Sequence, residues 1–200
     1  MNERSAWKGI VAGAVAGLAA TYVMSKFQGS FAKLAQEDQG NQSDETGEPS
    51  TVKVADRVAV ATTGKHLPDE QKEIAGNFVH YGFGTLMGAA YGVAAEYAPI
   101  ARSGFGSAFG SALFVGADEI GVPLAGLSKP PQETPARLHL YAWASHLVYG
   151  AALEGTRLAT RKALDLIPEN HADIDDYELG SDFDSDEDTL QNRLRRRRSA

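Results

Sequence analysis

Apolar and polar positions fall in long blocks along this chain. Intervals with no Lys, Arg, Asp or Glu run over 9–25, 74–95, 103–117 with 120–128, and 138–153. Within them small and apolar residues recur every four positions, a helical period, where strands would alternate every two. A helix needs about 20 mostly apolar residues to cross a bilayer, with roughly 17–25 observed. The second interval meets that length outright, the first and fourth are close to it, and the third reaches it if Asp118 and Glu119 are tolerated.

Punctuation agrees with four helices. Lys8 and Lys26 bracket the first. Pro68-Asp69-Glu70 opens the second, with a proline and acids suited to a first turn, and Pro99 follows its end. The third starts near Ser103 and has stopped by Pro130-Pro131. The fourth opens with Thr134-Pro135 and fades by Pro168. Between the first two, Thr51–Ala61 can place Val54, Val58 and Ala61 on one helical face opposite Lys53, Asp56 and Arg57. It suits an amphipathic helix on the membrane surface or one packed on its own protein, and its valine alternation also permits a short strand.

The expected fold class is therefore all-α: an integral membrane bundle of four transmembrane helices with Gly-zipper packing, plus a disordered acidic C-terminal tail. The parts are a first transmembrane helix (1–28), a polar loop with a short amphipathic helix (29–67), a three-helix transmembrane region (68–167) and the tail (168–200). A soluble Ala-rich bundle is the competing reading. Against it, each Gly inside a water-exposed helix costs roughly 1 kcal/mol relative to Ala, whereas membrane helices use small residues for close approach. The first helix lacks a clear cleavage site, so it reads as retained rather than as a signal peptide.

Charge changes the picture in one respect. The chain has 200 residues and a formal net charge of −7, and residues 169–200 carry ten acids against five arginines, most of that excess. So polar a segment cannot bury enough surface to offset its ordering entropy. The acidic balance argues against nucleic acid as a partner. Absence of Cys removes disulfides, thiolate metal sites and a cysteine nucleophile. Basic residues at Arg4, Lys8, Arg102, Arg157, Arg161 and Lys162 favour both termini being cytoplasmic in a multi-pass protein of the bacterial inner membrane, although Lys26, Lys33, Lys72, Lys129 and Arg137 oppose this.

Glycine rows mark the faces where helices can meet: Gly9, Gly13 and Gly17; Gly84, Gly88 and Gly92; Gly106 and Gly110. They form grooves for intramolecular packing, or for packing in a homo-oligomer. Ionisable residues extend the rows, in His80-Gly84-Gly88-Gly92-Glu96 and in His146-Gly150-Glu154, while Asp118 and Glu119 close the third. A row drifts about 40° per four residues, so His80 and Glu96 stand roughly 24 Å apart on opposite sides, and any polar cluster has to form between helices. Carboxylates inside membranes are rare and face interiors or watery cavities. Pro123 removes a helix hydrogen bond beside Asp118 and Glu119, which suggests a kink and a proton or cation site. Alternatively all four acids lie at helix ends, paired with Arg157 or Lys129.

The chain resembles the YagU-like family of bacterial inner-membrane proteins, a domain of unknown function. The resemblance rests on Trp7-Lys8-Gly9, "GKHLPDEQKEIAG" before His80-Tyr81-x-Phe83-Gly84, "MGAAYG" at 87–92, "GADEIGVP" at 116–123, "GLSKPP" at 126–131 and "ASHLVYG" at 144–150, within residues 7–162. It implies a small multi-spanning membrane protein with a link to acid resistance and no assigned catalytic residues. The expected role is acid tolerance through proton or ion handling at His80, His146, Asp118 and Glu119, and Glu96 and Glu154 complete the candidate intramembrane polar sites. The alternatives are a haem- or metal-binding module using His80 and His146, or an assembly partner of another membrane protein. No enzyme motif is present and no cofactor is predicted; the expected partner is the lipid bilayer.

Overall fold

The computed structural model describes residues 4–36 and 48–167, and the acidic tail lies outside the described residues. All regular structure among those residues is helical: α1 (Ala6–Gln36), α2 (Ser50–Thr63), α3 (Asp69–Tyr97), a 3₁₀ turn (Pro99–Arg102), α4 (Ser107–Leu113), a π-helical segment (Phe114–Gly121), α5 (Val122–Leu124), a 3₁₀ turn (Pro131–Glu133) and α6 (Ala136–Asp165). The starts of α3 and α6 follow Pro68 and Pro135 directly, as the fixed φ of a proline favours. α1 runs several residues beyond the expected limit at 28, because neither a proline nor a positive-φ glycine stops it.

α1 packs against both α3 and α6. It runs antiparallel to α3, and the two glycine rows meet residue for residue. A Cβ built on Gly9 would come within 2.9 Å of the Gly92 carbonyl oxygen, one on Gly13 would overlap that of Gly88, and one on Gly17 would stand 2.5 Å from that of Gly84. Backbone therefore lies against backbone. This contact gains dispersion and Cα–H···O attraction, which side chains at those positions would block. Gly106 and Gly110 of the third rod abut Gly150 and His146 of α6 in the same manner. Of the chain's possible grooves, these are filled from within.

The packing turns small residues inward and large ones outward. Ala12, Ala16 and Ala20 are fully buried, with Met24, Tyr91, Ala95, Tyr149 and Leu153 completing the core. Leu18, Phe78 and Leu86 are 52%, 76% and 62% exposed. By length and composition one helix can cross a membrane, over Ala6–Phe31. The other three rods fall short of that measure. Asn77, His80 and many glycines dilute α3, charges dilute α6, and the third rod is divided into short pieces.

Pro123 is where the third rod changes register, and the helix continues through it. Val122 N–H donates to the carbonyl of Ala117, five residues back, while Ala125 N–H donates to Gly121, four back. The missing donor of the proline falls at this changeover, where a π-helical stretch with its spare residue accommodates it. The turn before α4 is held by Gly104, Phe105 and Gly106 at φ of 61°, 54° and 82°.

α2 is a helix packed on its own protein, with a different inner face from the one expected. Val52 and Ala55 are buried, Val52 against Gly76 of α3, while Val58 is 55% exposed. Lys53 and Arg57 set the rotation. Lys53 Nζ donates to the Leu127 carbonyl (2.9 Å), and Arg57 to those of Ala125 (2.7 Å) and Gly126 (3.0 Å). Cations thus meet the exposed carbonyls after α5, where the helix end is negative.

Candidate functional site

The six singled-out ionisable residues separate into two groups. At the end formed by the start of α1 and the finish of α3 and α6 stand Glu96 and Glu154. Arg157 donates to Glu154 through Nε (2.7 Å) and Nη2 (2.9 Å), a bidentate fork, and Tyr91 Oη adds a third donor at 2.8 Å. Glu96 receives Arg161 Nε at 2.7 Å and the backbone N–H of Ser5 at 3.4 Å. Arg161 also donates to Asp165, which Lys8 approaches at 3.4 Å. Both carboxylates are nearly enclosed, and each is neutralised by a guanidinium with further donors, the arrangement that makes a buried charge tolerable.

The spacing of 154, 157, 161 and 165 puts two arginines flanked by two acids on one face of α6, a stripe legible in the sequence. Their partner Glu96 lies 65 positions from Arg161, beyond the reach of any local pattern. Tyr91 sits between Gly88 and Gly92, and its hydroxyl role has no local signal.

The second group lies toward the other end. Adjacent residues Asp118 and Glu119 on the π-helical segment face two histidines of α6. Asp118 Oδ2 is 3.7 Å from His146 Nδ1, too long for a hydrogen bond, and that nitrogen is 2.9 Å from the Ala142 carbonyl of its own helix. Phe114 lies against the His146 ring at 5.8 Å. Glu119 Oε1 is 2.6 Å from Nδ1 of His139, a residue the sequence reasoning passed over. Its signal is positional: seven residues before His146, it shares that face of α6.

His80 on α3 lies level with His146 on α6, one turn before the residues at which these parallel helices are joined, Gly84 and Tyr149. Its Nε2 is buried and meets no hydrogen-bond partner among the described residues. One turn further along α3, Tyr149 of α6 donates to the Gly84 carbonyl at 2.6 Å, which ties the two helices together beside the imidazoles. The structure therefore sets Asp118 beside His146, with His80 at the same level of the bundle, and keeps them apart from the Glu96 and Glu154 arginine pairs. Among the described residues no group of three or more His, Asp or Glu side chains has the geometry to hold a metal ion.

This arrangement can do one kind of chemistry readily. Imidazoles and a carboxylate at hydrogen-bond or near-hydrogen-bond spacing exchange protons, directly or through water.

Residues 41–155 match the family model described as protein of unknown function, DUF1440. That match is narrower than the 7–162 of the sequence resemblance and leaves out the whole of α1. Neither a curated protein nor a solved structure matches the chain. Covering more than half of the sequence, the family match places this chain in DUF1440, a family whose function is not known.

Proposed function

We propose that this protein is a multi-pass protein of the bacterial inner membrane that moves or buffers protons, and so supports tolerance of acid. One observation carries the reading: titratable side chains are enclosed within a helix bundle whose outer face is apolar. Phe78, Leu86, Leu18 and Leu140 point away from a core made largely of Ala, Gly and Tyr. In water that distribution wastes most of the available hydrophobic burial. In lipid it costs nothing, since acyl chains are as apolar as Leu, and close helix packing supplies the stability.

His80 and His146 within that enclosure, with the part-exposed Asp118 beside His146, form a path of exchangeable protons. Neutral imidazole enters a bundle at modest cost, and with one N–H and one lone pair it can take up a proton on one nitrogen and release one from the other. In this reading α1, α3, the α4–α5 rod and α6 each span the bilayer. Both termini are cytoplasmic, with Lys8, Arg157 and Arg161 on that side. The Glu96–Arg161 and Glu154–Arg157 pairs act as structural locks at the cytoplasmic end.

The experiment has two arms. Carbonate-washed membranes should retain the intact chain; its recovery in the detergent-free supernatant would overturn the membrane reading. Purified protein in liposomes containing a pH-sensitive dye should pass or take up protons, with His146→Ala and Asp118→Asn both slowing the response. Identical traces for the wild type and both variants would overturn the proton path.

The glycine rows argue against a reading as an assembly factor that presents them to a partner, because α1 and α3 already occupy each other's grooves.

A further inference from the structure

Among the described residues, every hydrogen-bond partner of the His139 ring nitrogens is an acceptor oxygen. Nδ1 lies 2.6 Å from the carboxylate oxygen of Glu119, and Nε2 lies 3.0 Å from the Pro131 carbonyl and 3.2 Å from that of Thr134. A neutral imidazole has one N–H and one lone pair. Opposite an ionised Glu119 it would bond on one side and turn a lone pair toward negative oxygen on the other. The observed geometry is satisfied only if the His139–Glu119 pair holds one additional proton, on the ring or on the carboxyl.

We propose that this pair is a proton-held latch, which fastens the Pro131–Glu133 turn and the start of α6 to the π-helical segment. The two sides of the clasp differ in kind. The carbonyls of Pro131 and Thr134 belong to the loop that enters α6, and Glu119 belongs to the segment next to the Pro123 register change. Loss of the shared proton releases one of them.

The ring is held from the π-helical segment and from the loop before α6. Glu119 faces it from the π-helical segment, and the 3₁₀ turn and Thr134 present carbonyl oxygens. Asp118, the neighbour of Glu119, is directed to His146 instead. From α2, Lys53 and Arg57 bind the other end of the same loop at Leu127, Ala125 and Gly126, so that end stays fixed while the latch opens. A cleft of about 420 Å³ lined by Phe114, Glu119, Pro131, Gln132 and His139 already lies open beside the pair, and the loop can swing without first breaking a packed core.

The latch does not depend on protons crossing the bundle, and its test does not measure flux. Amide exchange over residues 128–135, corrected for the intrinsic pH dependence of exchange, is followed from acid to alkaline pH on the full chain in lipid nanodiscs. Wild-type protection should fall about tenfold as the pair deprotonates, the loss of about one charge-assisted hydrogen bond. Glu119→Gln places an amide N–H against Nδ1 of a neutral ring, and should hold the loop protected at all pH values tested. His139→Ala should leave it exposed at all of them. Parallel pH profiles for the wild type and Glu119→Gln would overturn the latch, as would a wild-type profile flat from acid to alkaline pH.

Discussion

Tyr91 and Glu154 join α3 to α6 through a hydrogen bond of 2.8 Å, and the same carboxylate is held by both arms of the Arg157 guanidinium. Glu154 is 4% exposed and Arg157 3%. The hydroxyl completes a carboxylate shell that would otherwise lack a donor from α3. Removing one member therefore costs more than one hydrogen bond. Glu154→Ala, which strands a buried guanidinium, should destabilise the protein by about 3–5 kcal/mol. Tyr91→Phe should cost about 1–3 kcal/mol, since the carboxylate keeps Arg157. Thermal unfolding in detergent checks both, and equal losses would contradict the ranking.

The α1–α3 contact predicts a sharp contrast among glycines. Gly13→Ala and Gly88→Ala drive a methyl group into the opposing backbone and should each cost about 1–3 kcal/mol. Gly82→Ala meets nothing within 4 Å and should be neutral or stabilise by up to about 1 kcal/mol, the helix-propensity gain. Gly106→Ala combines overlap with the Gly150 carbonyl and a φ of 82°, so it should exceed any of the others. Melting temperatures of the four variants give the order.

The outward face of α3 separates lipid from water directly. Leu86 is 62% exposed and sits near the middle of the charge-free interval. Leu86→Arg in a surface facing water should change stability by less than about 0.5 kcal/mol. Facing hydrocarbon, it should cost roughly 2.5–3.5 kcal/mol. Insertion efficiency into microsomes, compared with wild type, reads the difference.

Asp56 predicts a pH effect outside the four long rods. Its carboxylate accepts the backbone N–H of Leu67 at 2.8 Å and lies 2.7 Å from His66 Nδ1. The Leu67 N–H, then the His66 hydrogen bond, hold its carboxyl below the ordinary carboxylate value. A depressed folded pKa contributes stability that is present above the unfolded value, about 3.9, and is lost as pH falls through the lowered one. The turn at 64–67 should therefore keep its order at neutral pH and loosen only below about pH 4. Asp56→Asn should remove that acid step, as followed by the His66 ring resonances.

Local signals account for most of the helix limits. Pro68, Pro99 and Pro135 stand where α3 and α6 begin and where α3 has ended, because a proline favours a first turn and cannot continue an established helix. The glycine rows likewise showed which faces come close. α2 was legible as a helix but not in its rotation, since the carbonyls that draw Lys53 and Arg57 lie about 70 residues further on. The same distance problem hid His139, whose importance comes from Glu119 on another element.

What the chain determined by itself is periodic: where helices run, which stripes are small, where acids and imidazoles interrupt them, and that a polar cluster had to form between rods. Those properties repeat over three to seven residues and follow from backbone geometry. Only the tertiary structure decided who meets whom. Glu96 took Arg161, Glu154 took Arg157 and Tyr91, Asp118 approached His146, and the groove of α1 was filled by α3. A charged or small residue fits many partners equally well until packing brings one within about 3 Å, and that choice belongs to the assembled bundle.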